Sequence, residues 1–192
     1  MEKSKGSLFI VSAPSGTGKT TIIKRILKEF PDFVFSVSAT TRKKRENEKN
    51  GKDYFFLTEE EFKEKIENNE FAEWEKFYDY YYGTFKKYLD DNLENGKSVL
   101  LEIDVKGALK LKENYPESVL IFIVPPSFDE LVNRLKNRRT EDEIDFQKRI
   151  ERAEFELRHK DKFDYFVHNE EIEKAVTDIK SLIENIIRRK TK

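Results

Sequence analysis

Leu8-Phe9-Ile10-Val11-Ser12-Ala13-Pro14-Ser15-Gly16-Thr17-Gly18-Lys19-Thr20 joins a short apolar run to a glycine-rich turn and then to a segment of helical periodicity. That order is the layout of a nucleotide phosphate-binding loop. Glycines let successive backbone N–H groups turn toward one point and form an anion nest, and the helix that follows aims its positive end at the same point. Lys19 then reaches the β- and γ-phosphates of a nucleoside triphosphate, and the Thr20 hydroxyl is a ligand for Mg²⁺. The expected ATP-binding set here is Ala13, Pro14, Ser15, Gly16, Thr17, Gly18, Lys19, Thr20 and Thr21, with Ala13 standing where a first glycine is usual. The plain alternative is a solvated Gly/Ser/Thr loop, and the strand before it and the helix after it argue against that.

Outward from this loop, a chain of 192 residues has room for one substantial core with a smaller lobe attached. Its 37 Lys and Arg against 38 Asp and Glu leave a formal net charge of −1, so any anion site is local and nucleic acid is not an expected partner. The absence of cysteine excludes disulfides and thiolate metal sites. The N-terminus lacks an apolar stretch of secretory length, and residues 119–124 are too few to cross a bilayer. The expectation is a soluble, cytoplasmic protein with no membrane partner. Monomer and homodimer stay equally open.

Three apolar runs, at 8–11, 98–103 and 119–124, read as buried parallel strands, each followed by helical periodicity; that is an α/β signature. A fourth strand is expected at 165–167, before a helix read from Ile172, Val176, Ile179, Ile183 and Ile186. Ser127 is a candidate N-cap for a helix carrying Phe128, Leu131 and Leu135. Residues 36–94 differ in character: a basic cluster, short aromatic strands at 54–57 and 71–74, and a helix at 59–68 between them. They read as a small mixed lobe inserted into a core made of 1–35 and 95–192. The charged, apolar-poor segment within 134–150 reads as a lid.

The blocks Ser36 to Arg45, Gly51 to Tyr54, Phe71-Ala72-Glu73-Trp74, Tyr82-Gly83-Thr84, Leu101-Glu102-Ile103-Asp104, Pro125-Pro126-Ser127, Arg134 to Arg149 and Asn169 resemble the guanylate kinase family, in its order and over nearly the whole chain. The resemblance implies a P-loop core with a GMP-binding lobe and a lid. It further implies transfer of the γ-phosphoryl of ATP to GMP, with dGMP as a related acceptor. Guanine offers two donors, N1–H and the 2-amino group, beside the acceptor O6. Glu73 matches the family's guanine-reading carboxylate, Ser38 and Thr84 its hydroxyls, and Asp104 a second acidic contact. An isolated Glu alternating with Phe71 and Trp74 would otherwise read as an outward charge.

For the acceptor phosphate the resemblance implies Arg42 and Arg45 as clamps with Tyr54 and Tyr82 as hydroxyl donors, and it places Gly83 and Glu102 beside GMP. Guanidinium forks and phenols suit a group of about two negative charges. Transfer to an anionic phosphate needs alignment and charge neutralisation more than a strong base. The expected catalytic set is Lys19, Arg42, Arg134, Arg138 and Arg149, with Arg134 and Arg138 four apart on one helical face and also on ATP. Glu102 is expected to hold a water on Mg²⁺, and Asn169 to lie near adenine. His159 and His168 lack metal-ligand spacing, and Trp74 with 77–82 is expected in the lobe core. Two alternatives carry less weight. A related sugar-phosphate kinase, phosphorylating ribose 1,5-bisphosphate, has no purine edge to read. A non-catalytic phosphopeptide-binding module would not need Gly18-Lys19-Thr20 intact.

Overall fold

The computed structural model describes residues 5–77, 79–137 and 143–190. Five strands form an all-parallel sheet: β1 (Leu8–Ser12), β2 (Val34–Ser36), β7 (Val99–Glu102), β8 (Val119–Val124) and β9 (Tyr165–His168), in the order β2-β7-β1-β8-β9. β1 sits at the centre, so its residues are buried on both faces, as a continuous apolar run requires.

The strand period of two sorts the core into two layers. Phe9, Val11, Ile121 and Ile123 meet α1 (Lys19–Glu29) and α7 (Ile172–Lys190) through Ile22, Ile26, Ile179 and Ile183. Leu8, Ile10, Leu120 and Phe122 face the other way, onto α3 (Lys86–Glu94) and α4 (Val105–Asn114) through Leu89, Ala108 and Leu111. Helices on both faces of a parallel sheet make a three-layer α/β core. Deleting Ile22 or Leu111 to Ala would cost about 2–5 kcal/mol, since both are fully buried.

A second sheet is mixed, in the order β4-β3-β6-β5: β3 (Ala39–Thr40), β4 (Phe55–Phe56), β5 (Phe71–Phe77) and β6 (Tyr80–Phe85). Its small core is aromatic. Phe62, from α2 (Glu59–Glu67), stacks on Phe71 with ring centroids 4.4 Å apart. A capping box starts α2: the Glu61 amide donates to Thr58 Oγ1 at 3.1 Å and the Thr58 amide to Glu61 Oε2 at 2.7 Å. A Cβ at Gly83 would lie 3.0 Å from both Phe62 and Phe71, so glycine there lets the aromatic layer close under the strand.

The strands at 98–103, 119–124 and 165–167 and the helix at 59–68 occur within a residue or two of expectation, and the last helix starts at Ile172 and runs four residues beyond Ile186. Sequence reading missed β2, three residues at the sheet edge of which only Ser36 is fully buried, and α3, which has no side-chain cap and few apolar residues. α3 falls inside the stretch expected as lobe, yet Leu89 packs with Leu8 and Ile10. α5 (Phe128–Lys136) has Ser127 as its N-cap, donating partner Glu130 N at 3.0 Å, and α6 (Glu143–Arg158) follows.

Candidate functional site

One cleft of about 670 Å³ runs from the turn after β1 to the inner face of the second sheet. Its floor is the carboxyl edge of the parallel sheet, where β1 has β7 on one side and β8 on the other; open α/β sheets bind ligands at such crevices.

Ala13, Pro14, Ser15, Gly16, Gly18, Lys19, Thr20 and Thr21 line one end. Gly16 and Gly18 both have φ of 91°, a left-handed conformation that turns the intervening amides inward. Gly18 is the N-cap of α1 and supplies no side-chain cap, so the first amides of the helix keep their donors for an anion. The Ala13 methyl group packs in the cluster with Phe9 and Val11, which explains why alanine is accepted at this position. Thr17 is fully buried, and its carbonyl accepts from Asn169 Nδ2 at 2.6 Å. Asn169 is itself buried and lies beneath the loop, outside the cleft lining.

Lys19 Nζ donates to the Ile103 carbonyl at 3.4 Å and stands 3.9 Å from Glu102 Oε1. Thr20 Oγ1 donates to the same carboxylate oxygen at 3.0 Å. A hydroxyl and a carboxylate side by side, next to a phosphate nest, fit a hard cation that takes few protein ligands and keeps its waters. Among the described residues no group of three or more His, Cys, Asp or Glu could form a protein-only metal cage.

At the other end, Glu73 on β5 is only 4% exposed. Thr84 Oγ1, from the paired position on β6, donates to Glu73 Oε1 at 2.7 Å. Thr84 is therefore engaged with Glu73 and does not itself line the cleft. Burial, reinforced by nearby Asp104 and opposed by the Thr84 hydrogen bond, pushes the Glu73 carboxyl up to about 8. The other oxygen, Oε2, lies 3.0 Å from where a Cβ on Gly107 would be, so the first turn of α4 approaches this closely because residue 107 is glycine. Asp104 caps that turn, its Oδ1 accepting from the amides of Lys106 at 2.8 Å and Gly107 at 3.1 Å. Ser38 and Gly83 also line this end.

Arg42 and Arg45 stand beside these groups with Tyr54 and Tyr82. The Arg42 guanidinium forms a fork on Glu48, NH2 to Oε1 at 2.7 Å and NH1 to Oε2 at 3.1 Å, and the Arg45 amide donates to Glu48 Oε2 at 2.8 Å. Burial works against the Arg42 charge, but the Glu48 hydrogen bond and attraction leave it raised above its ordinary value. The same hydrogen bond holds Glu48 below the usual carboxylate range. Tyr54, with its ring centroid 5.4 Å from the Arg42 guanidinium, is pushed up to about 12 by burial and then by Glu102, so its phenol stays a proton donor at neutral pH.

Of the lid arginines, Arg149 on α6 lines the cleft. Arg134 lies outside the lining and donates from Nε to Glu130 Oε1 at 2.8 Å, one turn back along α5. α5 ends at Lys136, and Arg138, with the helical face expected to join it to Arg134, lies outside the described residues. Sequence reading missed Glu48, Glu75, Phe77, Arg152 and Glu156, all of which line the cleft. Spacing offered two signals: Arg152 follows Arg149 by three residues on α6, and Glu48 follows Arg45 by three. Phe77, expected in the lobe core, faces the cleft, and Tyr80 is exposed.

The cleft thus presents an uncapped amide nest with a lysine at one end and an arginine pair with phenols at the other. Beyond the arginines sits a buried acceptor able to read a donor edge. Two phosphate groups can meet between them.

A guanylate kinase family model matches residues 5–186. A guanylate kinase of Caldanaerobacter subterraneus subsp. tengcongensis is 50% identical over 181 residues, covering 94% of this chain and 88% of that protein. One of Thermotoga maritima is 48% identical over 179 residues, covering 93% and 86%. Among solved structures, a guanylate kinase from Anaplasma phagocytophilum superposes with a TM-score of 0.80 at 37% identity, covering 96% of this chain and 88% of that one.

Proposed function

The chain belongs to the guanylate kinase family and is a GMP kinase, moving a phosphoryl group from ATP to GMP; from that premise we propose how its residues divide the work. The observation that carries the assignment is the single cleft in which the amide nest around Lys19 faces Arg42, Arg45 and the buried Glu73–Thr84 pair. A sugar phosphate has no edge for Glu73 to read.

The ATP phosphates lie in the loop 13–21, with the α1 amides and Lys19 on the β- and γ-oxygens. Thr20, beside Glu102, would hold Mg²⁺ directly and Glu102 would hold it through a water. The bound ion supplies charge neutralisation on the phosphate oxygens. Asn169 sets the loop's shape from below through the Thr17 carbonyl.

GMP lies across the lobe. Glu73, once ionised, accepts from guanine N1–H and the 2-amino group; Ser38 donates to O6, Thr84 fixes the Glu73 carboxylate, and Asp104 gives a second acidic contact. Adenine, with an acceptor at N1 and no 2-amino group, leaves a buried carboxylate unmatched, which can cost about 10⁴-fold in a site of this kind. Arg42, Arg45, Tyr54 and Tyr82 hold the acceptor phosphate, which takes the place of the Glu48 carboxylate on the Arg42 fork. With both substrates aligned, Lys19, Arg42 and Arg149 neutralise charge on the moving group, and Arg134 and Arg138 join as the lid closes. The lobe of 36–94, less α3, which packs on the core through Leu89, and the lid within 134–150 close on the core of 1–35 and 95–192, and dGMP is accepted as well. ATP and GMP pools place the reaction in the cytoplasm; no described helix is long and apolar enough to cross a membrane.

A coupled assay of the purified protein with MgATP and GMP should release ADP and GDP, with dGMP used and AMP rejected. No turnover with GMP refutes the assignment.

A further inference from the structure

Arg152 stands where three separate segments meet. Its guanidinium carbon lies 3.6 Å from the Phe77 ring centroid, a face-on contact with the end of β5. Its Nε donates to Glu156 Oε1 at 2.8 Å, one turn along α6, and Glu156 is buried, so that anchor fixes the guanidinium plane. Its NH2 is 3.6 Å from Asp104 Oδ2 at the start of α4. Asp104 lines the cleft, and with Oδ1 already engaged by two backbone amides, Oδ2 is the oxygen left for a ligand there. A second tie runs parallel to the first: Lys106 Nζ is 3.3 Å from Glu75 Oε1 on β5 and 5.4 Å from the Phe155 ring centroid on α6.

We propose that Arg152 is a positioning residue that orients Asp104 Oδ2 as the acceptor for the exocyclic 2-amino group of the guanine base, by tying α6 to β5 and to the N-cap of α4. This rests on the guanylate kinase reading of the base end. The charge balance supports it. Glu73, Glu75, Asp104 and Glu156 crowd this end of the cleft, and the Arg152 guanidinium among them holds an Asp104 oxygen in place without consuming it, because 3.6 Å is longer than a made hydrogen bond. The flat stack on Phe77 requires a planar cation, so lysine can replace the charge but not the shape.

The test is nucleotide affinity of the full chain by calorimetry, GMP against IMP, which has N1–H and O6 but no 2-amino group. Arg152→Ala should lower the GMP-to-IMP preference about tenfold, the size of one charge-assisted hydrogen bond, while ATP affinity changes by less than about twofold. Arg152→Lys should recover part of that preference, and Phe77→Leu should lower it about threefold in the same direction. Equal losses for GMP and IMP, or an unchanged ratio, overturn the proposal. Should Arg152→Ala not fold, the lysine and Phe77 variants decide by the same ratio. Lack of GMP turnover by the unsubstituted protein would refute the activity without moving this ratio; lack of GMP binding would overturn both.

Discussion

Glu73→Gln should raise the stability of the ligand-free protein and weaken its grip on GMP, each in its own pH window. An unfolded glutamate titrates near 4.5, whereas burial keeps Glu73 protonated up to about 8 in the fold. Between those values the folded chain binds more protons than the unfolded one, so this carboxyl opposes folding increasingly as pH rises, and constantly above about 8. The full difference corresponds to about 5 kcal/mol. Glutamine keeps an acceptor for Thr84 Oγ1 and has no charge to bury. Denaturant unfolding should therefore show the variant and parent alike below pH 4, with the variant gaining several kcal/mol by pH 8.5, up to about 5.

GMP affinity should move the other way. At pH 8.5 the amide oxygen still accepts from one of the two donors of the guanine edge but sets its own NH₂ against the other, a cost of about 1–3 kcal/mol. Below pH 8 the parent must give up a proton to bind, so its advantage shrinks about tenfold per unit and is largely gone near pH 6. Ionisation of the GMP phosphate is common to both proteins and cancels in their ratio. Calorimetry across pH 6–9 would measure it. A ratio of dissociation constants independent of pH, or no stability gain at pH 8.5, refutes the buried, base-reading role of Glu73.

Other substitutions separate the two ends of the cleft. Lys19→Ala should cut phosphoryl transfer by about 10²–10³ with little change in melting temperature, because the Nζ contacts to Ile103 O and Glu102 are long and lie across a partly open site; unchanged ATP binding and activity would contradict this. Arg42→Lys removes the fork now seated on Glu48 and should raise KM for GMP while leaving KM for ATP alone, as a two-substrate rate study would show. Gly107→Ala sets overpacking of about 1–3 kcal/mol against a helix gain of about 1 kcal/mol, since the new Cβ would lie 2.5 Å from Ile103 Cδ1 and 3.0 Å from Glu73 Oε2; a melt showing net stabilisation with intact guanine selectivity would be the contrary result. Chelation of Mg²⁺ should abolish transfer and leave GMP affinity unchanged, which calorimetry in EDTA can check.

What was legible in the chain was mostly local. The run 8–11 with its glycine turn, the apolar strands and the α7 stripe each state their structure within a dozen residues. β2 was not legible, because so short a run, half-buried at Val34 and Phe35, becomes a strand only when β7 offers an edge. Thr84 and Asn169 could be picked out by position, but not that one serves Glu73 and the other the back of the loop, since those contacts span 11 and 152 positions. Glu48 and Arg152 escaped for a related reason. A charged residue on a polar surface looks solvated until the fold sets Arg42 or Phe77 opposite it.

The Asn169–Thr17 hydrogen bond also bears on the order in which this protein is made. The phosphate loop is written among the first twenty or so residues, but the group that holds its floor arrives about a hundred and fifty residues later and must be brought in just past the edge strand β9. Closing so long an interval comes late in assembly. A nascent chain emerging from the ribosome can therefore complete β1 and α1 early and still not grasp nucleotide. Competence for ATP becomes a report that the last strand has docked.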